Sequence, residues 1–163
     1  PLQWAQAKTE LLMLLVGSGA KFVQQLEQAG ALAMFVTPEG GSEGHYLRRL
    51  RGAGYEVVTL SSKGIGDLAS YLTRSHGVRP ATLGKSQRRT YFYPSLIEQY
   101  RATLPPKAKG LVFWFYEGHV LSRQELSYLV KLSQEDKGVK FVVELARERS
   151  IRWQPLESAL QSA

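Results

Sequence analysis

The residues of this chain that are equipped for chemistry are few, and they gather beside glycines. Gly40-Gly41-Ser42-Glu43-Gly44 spells a literal G-x-S-x-G, the pattern in which a serine on a sharp strand-to-helix turn becomes the nucleophile of an α/β hydrolase. Its partners would have to come from Asp67, His76 and His119. Pro38 and Glu39 separate the preceding strand from the turn, and 163 residues is short for that fold, so Ser42 reads more simply as the N-cap of the helix that follows. Gly17-Ser18-Gly19 lies after an apolar run and before a helix, as the first turn of a dinucleotide-binding fold would. Phe22 stands where the third glycine belongs, and its bulk opposes the close helix–strand packing that the motif needs. A small enzyme with a nucleotide site at Gly17 to Phe22 or an acyl site at Ser42 is therefore the second reading of the chain, not the first.

The remaining reactive groups are scarcer still. His45, His76 and His119 form no H-x-H or H-x-x-x-H pair, which gives a metal site little support. The chain has no cysteine, so it has no disulfide, no thiolate nucleophile and no thiolate ligand for zinc or an iron–sulfur cluster. Any redox centre would have to belong to a partner. No catalytic, cofactor-binding or metal residue is expected of this chain.

The charge balance points to partners. Lys and Arg number 21 against 14 Asp and Glu, a net charge of +7, which suits an acidic protein, nucleic acid or an anionic surface. Arg48, Arg49 and Arg51 lie off the apolar stripe of one helix. From Leu68 to Ile97 there is no acidic residue, while Arg74, Arg79, Lys85, Arg88 and Arg89 are all positive. These eight residues are the expected partner interface. Tyr91, Phe92 and Tyr93 beside them could serve stacking on nucleic acid, yet no RNP, KH or helix-turn-helix signature accompanies them, so no nucleic-acid partner is expected.

The elements that must position these groups follow from apolar spacing. A hydrophobic fraction of 44% supplies a proper core, and one domain over residues 1–163 is expected, with residues 1–13 as an N-terminal arm, 80–110 as a surface excursion and 154–163 as a tail. Phe22, Val23, Leu26 and Ala29 share one helical face and Gly30 ends it; Tyr46, Leu47 and Leu50 form a second. Asp67 is placed to cap a helix carrying Leu68, Tyr71 and Leu72, and Ser122 with Glu125 forms a capping box. Strands are expected over 31–36, 55–60, 111–116, 139–145 and 150–153. The run Leu111 to Tyr116 is apolar at every position, which requires cover on both faces. Helices alternating with strands define an α/β fold, a single three-layer domain with a largely parallel sheet and helices on its faces. The longest apolar run, Leu11 to Val16, is far short of the roughly 20 residues that span a bilayer, and a cytosol-facing protein is expected.

Short stretches of the chain also spell a family pattern. PEGGSEGHYLRRLRGAGY from Pro38, KGIGDLASYL from Lys63, HGVRP from His76, LGK from Leu83, LPPKAKGLVFWFYEGHVLSRQE from Leu104 and RWQPL from Arg152 occur in order over about residues 14 to 160. The chain thereby resembles the subunit N (NdhN) family of the photosynthetic, complex-I-like NAD(P)H:plastoquinone oxidoreductase. Ala81 and His45 depart from the family pattern, which has proline and arginine there. The resemblance implies a non-catalytic peripheral subunit on the cytoplasmic or stromal side of the thylakoid membrane. It would be an enzyme only as part of a quinone-reducing, proton-pumping complex whose neighbouring subunits hold the iron–sulfur clusters. It further implies docking of the basic surface onto other hydrophilic-arm subunits, or steering of acidic ferredoxin towards the arm.

Overall fold

The computed structural model describes residues 2–41, 43–74, 76–78, 91–93 and 95–161. The apolar run of the sequence forms a strand, β5 (Gly110–Tyr116), buried from Gly110 to Phe115. It lies inside a five-stranded sheet with β1 (Ala31–Val36), β2 (Tyr55–Ser61), β6 (Val139–Arg147) and β7 (Arg152–Pro155), in the order β2-β5-β6-β1-β7. The first four strands in this order run parallel, and β7 closes one edge antiparallel to β1. A separate antiparallel pair joins β3 (His76–Val78) to β4 (Tyr91–Tyr93). The expected three-layer α/β domain with a largely parallel sheet is what the chain forms.

Alternation along each strand divides the core in two, because successive side chains point to opposite faces. Leu111, Phe113 and Phe115 join Val139, Phe141, Val143, Ala31 and Ala33 on one face. That face is covered by α3 (Leu68–Thr73), α4 (Leu96–Ala102), α5 (Arg123–Glu135) and α6 (Leu156–Gln161), which contribute Leu68, Leu72, Ile97, Leu126, Leu129 and Leu156. The opposite face carries Val112, Trp114, Val142, Leu32 and Met34 under α1 (Leu2–Ala29) and α2 (Glu43–Gly52), which contribute Phe22, Leu26, Tyr46, Leu47 and Leu50. The ring of Phe22 is its hub, with centroids 5.1 Å from Tyr46, 5.3 Å from Trp153 and 5.9 Å from Trp114.

The helix signals act as their chemistry demands. Ser122 and Glu125 exchange both bonds of the capping box at the start of α5, and the Asp67 carboxylate accepts from the Ser70 amide to start α3. Gly30 ends α1 with φ +79, its amide donating to the Leu26 carbonyl at 2.8 Å; only glycine takes that conformation without strain.

Three expectations are corrected. Gly17-Ser18-Gly19 is no turn between a strand and a helix, because it lies inside the 28 residues of α1, and with that the dinucleotide reading of Gly17 to Phe22 loses its structural basis. Glycine costs a helix about 1 kcal/mol relative to alanine, but packing decides here: Gly19 is buried against α2, and a Cβ on it would come within 2.8 Å of Arg49 Cγ. Secondly, the 80–110 stretch includes α4, which Ser95 caps by accepting from the Glu98 amide while Ile97 enters the core. Proline on both sides disguised that short signal. Thirdly, the last strand spans residues 152–155 rather than 150–153, and the tail turns back as α6, burying Leu156. Among the described residues no helix is long and apolar enough to cross a membrane.

Candidate functional site

In an open α/β sheet, the place to look is the carboxyl edge of the strands, where connections leave in opposite directions. Here β1 leaves towards α2 on one face, and β5 leaves towards α5 on the other, with β6 between them. A cleft of about 520 Å³ opens at this point, lined by Thr37, Glu43, Lys63, Tyr116, Glu117, His119, Glu144 and Arg147 among others.

The turn after β5 is the cleft's fixed wall. Glu117 has φ 56 and ψ 39, making it the one non-glycine residue with positive φ among those described. Holding a non-glycine residue in that region costs of order 1–3 kcal/mol, a strain that surrounding contacts must offset. The contacts are visible: Lys63 Nζ pairs with the Glu117 carboxylate at 2.6 Å, and the Ser61 hydroxyl donates to it at 3.3 Å. These bonds hold the Glu117 carboxyl below the usual carboxylate range, the Lys63 bond foremost. Gly118, opening the 3-10 turn Gly118–Val120, presses on β6 so closely that a Cβ would lie 2.3 Å from Val143 Cγ1 and 2.8 Å from the Glu144 carbonyl oxygen.

The floor of the cleft is acidic. Trp114, fully buried in β5, donates its indole N–H to Glu144 Oε2 at 2.5 Å. Burial nevertheless pushes the Glu144 carboxyl up; the Trp114 bond opposes that shift, the Glu43 charge adds to it and Arg147 counters it. The Tyr116 hydroxyl is raised by burial and then by Glu144 and Glu43. Glu43 Oε2 has no solvent contact and no hydrogen-bond partner. Glu43, Glu144 and Tyr116 therefore share one negative field, which Arg147 offsets at Glu144 and Arg51 at Tyr116.

This field fixes how stability depends on pH. A carboxyl whose pKa is higher folded than unfolded binds more protons in the native state, so its contribution is greatest below the ordinary glutamate range and falls as pH rises through the raised value. Glu144→Gln keeps an acceptor for Trp114 and removes the charge. We expect that variant to melt higher than the parent chain near pH 8, with the difference vanishing towards about pH 4, where a glutamate is largely protonated. Thermal melts of both chains across that range check it, and a variant that melts lower near pH 8 would contradict the raised carboxyl.

The basic residues of the sequence fall elsewhere. A groove of about 510 Å³ runs between α1 and α2, lined by Ala20, Val23, Gln24, Glu27, His45, Arg48 and Arg49 among others. Glu27 is taken up by Tyr55, whose hydroxyl is pushed up to about 12 by burial and then by that carboxylate. Arg48 and Arg51 are exposed, and Arg49 is half-buried over Gly19 with its Nε unpartnered. Arg74 is exposed just beyond α3. Arg79, Lys85, Arg88 and Arg89, and with them most of the expected basic patch, lie outside the described residues, as does Ser42.

The supposed partners of Ser42 are not gathered in one place. Asp67 is committed to α3 through the Ser70 hydroxyl at 2.6 Å, His76 lies in the β3–β4 pair, and only His119 lines the cleft. Sequence reasoning missed Glu43, Lys63, Tyr116, Glu117 and Glu144. One signal was available, since a glutamate inside the apolar strand Val139 to Leu145 is an anomaly that asks for a partner.

Fold and site together define the class: a three-layer α/β domain with an open acidic cleft at its switch point and a basic groove on the helix pair covering one face. Over residues 13–158 the chain matches the model of the family described as NADH-quinone oxidoreductase cyanobacterial subunit N, NdhN, and it belongs to that family. It is 97% identical over 147 residues to NAD(P)H-quinone oxidoreductase subunit N of Synechococcus sp. (strain JA-3-3Ab), covering 90% of this chain and 100% of the relative. The protein of the same name from Thermosynechococcus vestitus is 51% identical over 146 residues, 90% of this chain and 97% of its own length. That from Nostoc punctiforme is 46% identical over 155 residues, 91% and 98% of the two chains.

Proposed function

We propose that the chain works as subunit N of a cyanobacterial NAD(P)H-quinone oxidoreductase complex, as a non-catalytic peripheral subunit that stabilises the hydrophilic arm. The observation that carries this reading is the near full-length relationship to proteins bearing that name. The composition supports it: a chain without cysteine has no thiolate for an iron–sulfur cluster, so electron transfer from NAD(P)H or ferredoxin to quinone falls to clusters in neighbouring subunits. On this reading the protein sits at the thylakoid membrane on its cytoplasmic side, held there through the complex. Arg48 and Arg49 of the α1–α2 groove and Arg51 on the same helix, together with the stretch from Arg74 through Arg79 and Lys85 to Arg88 and Arg89, meet acidic neighbouring subunits. They also steer acidic ferredoxin towards the arm.

Affinity purification of the tagged chain from its native membranes, followed by mass spectrometry, tests the reading. Recovery of iron–sulfur and quinone-reductase subunits is expected, and recovery of the chain alone would overturn it. Charge reversal of the exposed pair, Arg48→Glu with Arg51→Glu, is expected to lower that recovery about tenfold, a loss near 1.4 kcal/mol of association. The melting temperature of the isolated chain should hardly move, because surface substitutions stay within about 0.5 kcal/mol. Undiminished recovery would remove this helix from the interface.

A further inference from the structure

We infer that the amino-terminal edge of the parallel sheet docks an extended acidic segment of a neighbouring subunit. The inference rests on the subunit reading and adds to it a second face, distinct from α2 and from the stretch beyond Arg74. Two glycines bring this face together. Gly110 lies so close to the loop before β6 that a Cβ on it would meet the Gly138 carbonyl oxygen at 2.8 Å, and that carbonyl accepts from the Leu111 amide at 2.9 Å. Lys109 and Lys137, each next to one of these glycines and both exposed, are thereby carried on touching backbone at the sheet edge. The Lys109 amide donates to the Gly54 carbonyl at 2.8 Å, which ties the row to the start of β2. Lys140 extends it along β6, its Nζ donating to the Lys137 carbonyl at 3.4 Å.

This row is not neutralised from within. Among the described residues no carboxylate forms an ion pair with Lys109, Lys137 or Lys140. Asp136, beside Lys137 in the chain, is held by Arg101 and by the Gly138 amide. Glu27 faces Lys140 without forming an ion pair, and its carboxylate is bonded to the Tyr55 hydroxyl. Burial pushes the Lys140 ammonium down, Glu27 opposes that shift and Lys137 adds to it. An ammonium that has given up part of its hydration without gaining a carboxylate is completed by one brought from outside.

The shape and lining of the edge select the occupant. Beside Lys137 and Lys140 a recess of about 660 Å³ opens between the end of α1, α5, α6 and β7, and four carboxamides line it, Gln25, Gln28, Gln134 and Gln154. Gln25 is oriented by the Trp153 indole, which donates to its Oε1 and leaves its NH2 group to donate in turn. A carboxamide offers the same donor and acceptor as a peptide unit, so this lining suits the main chain of an extended segment while the lysines meet its carboxylates. Glu157, exposed on the first turn of α6, also lines the recess and confines those carboxylates to the Lys137 and Lys140 side. A bilayer surface is too flat to enter the recess, and the edge lacks the exposed apolar groups that insert into lipid or stack on bases. Of the large ones, Trp4 is in the first turn of α1, whose last turn reaches the edge, and Tyr71 and Val120 follow the carboxyl ends of β2 and β5.

The test compares the full-length tagged chain with its Lys109→Glu/Lys137→Glu variant, both expressed in a cyanobacterial host and purified with their partners at increasing salt. Both side chains are exposed, so the variant is expected to fold and to melt with the parent. It is expected to recover about tenfold less of the partner subunits at moderate salt. Lys109→Gln/Lys137→Gln, which removes the charges without reversing them, should fall between the two. A second measurement titrates the isolated full chain by NMR with N-acetyl-hexaglutamate amide, beside phosphatidylglycerol vesicles and a single-stranded oligothymidine. The acidic peptide is expected to shift the side-chain amide signals of Gln25, Gln134 and Gln154 and to leave those of the charge-reversed variant unmoved. Gln134→Ala/Gln154→Ala should weaken the peptide with every lysine in place. Equal partner recovery for parent and charge-reversed variant would overturn the docking edge while leaving the subunit reading intact. An acidic peptide that leaves the parent signals unmoved would overturn it as well, and signals moved by the vesicles or the oligonucleotide instead would give the edge to that polyanion. A parent chain that recovers no partner at all would overturn both.

Discussion

Replacing Trp114 by alanine is expected to cost the domain about 3–5 kcal/mol, the range for truncating a large buried aromatic. The side chain is fully buried on an interior strand, with a helix pair above it and a packed sheet face beneath. Its ring lies 5.9 Å from Phe22, so the cavity would open at the hub of the α1–α2 core. The substitution also removes the donor that holds Glu144, whose charge burial already disfavours. Domains of this size are stable by about 5–15 kcal/mol in all, so the variant should retain little cooperative unfolding near physiological temperature. Chemical denaturation of the isolated chain checks it. A midpoint close to that of the parent would mean that β5 is not interior, which would undo the account of the fold. Trp114→Phe, keeping most of the volume and losing only the indole donor, should fall between the two.

Gly118→Ala carries the second large effect, and it works through shape alone. The added methyl would meet Val143 Cγ1 at 2.3 Å and the Glu144 carbonyl oxygen at 2.8 Å. Val143 is itself fully buried and a backbone oxygen cannot turn aside, so the whole turn must lift from β6. We expect about 2–3 kcal/mol of destabilisation, the upper part of the range for overpacking. The cleft should change with it, because lifting the turn separates Glu117 from Lys63 and withdraws one wall. Gly17→Ala is the matched control: that position is exposed in α1 with nothing within 4 Å of an added Cβ, and alanine suits a helix better than glycine. Equal stability of the Gly118→Ala chain and its parent would show that the turn does not press on the sheet.

Much of the fold was legible because its causes are local. The unbroken apolar run Leu111 to Tyr116 demands an interior strand whatever the topology, and it became β5. Ser122 and Glu125 start a helix by bonds that reach only three residues, and Tyr46, Leu47 and Leu50 share a face by helical spacing alone. The failures were local signals reversed by distant contacts. Gly17-Ser18-Gly19 reads as a break in the chain, yet α2 uses the missing side chain of Gly19 to bring Arg49 close. At Ser95 a valid cap stood between prolines and was read as part of an excursion.

The candidate site was less legible than the fold. Arg48, Arg49 and Arg51 could be chosen from sequence because a charged helix face is periodic. Glu43, Glu117 and Glu144 could not, since nothing periodic connects residue 43 with residue 144. By itself the sequence determined the class of fold, the main strands of the sheet and the apolar faces of the helices it foresaw, the excess of positive charge, the want of a thiolate and the family to which the chain belongs. Only the tertiary structure decided that β6 lies between β5 and β1, and therefore that the carboxylates of α2, the β5 turn and β6 meet at one opening. The physical reason is that strand order is a choice among non-local pairings, made by whichever arrangement buries both apolar faces at once. The side chains at the strand ends, which take no part in that burial, are brought together as its consequence.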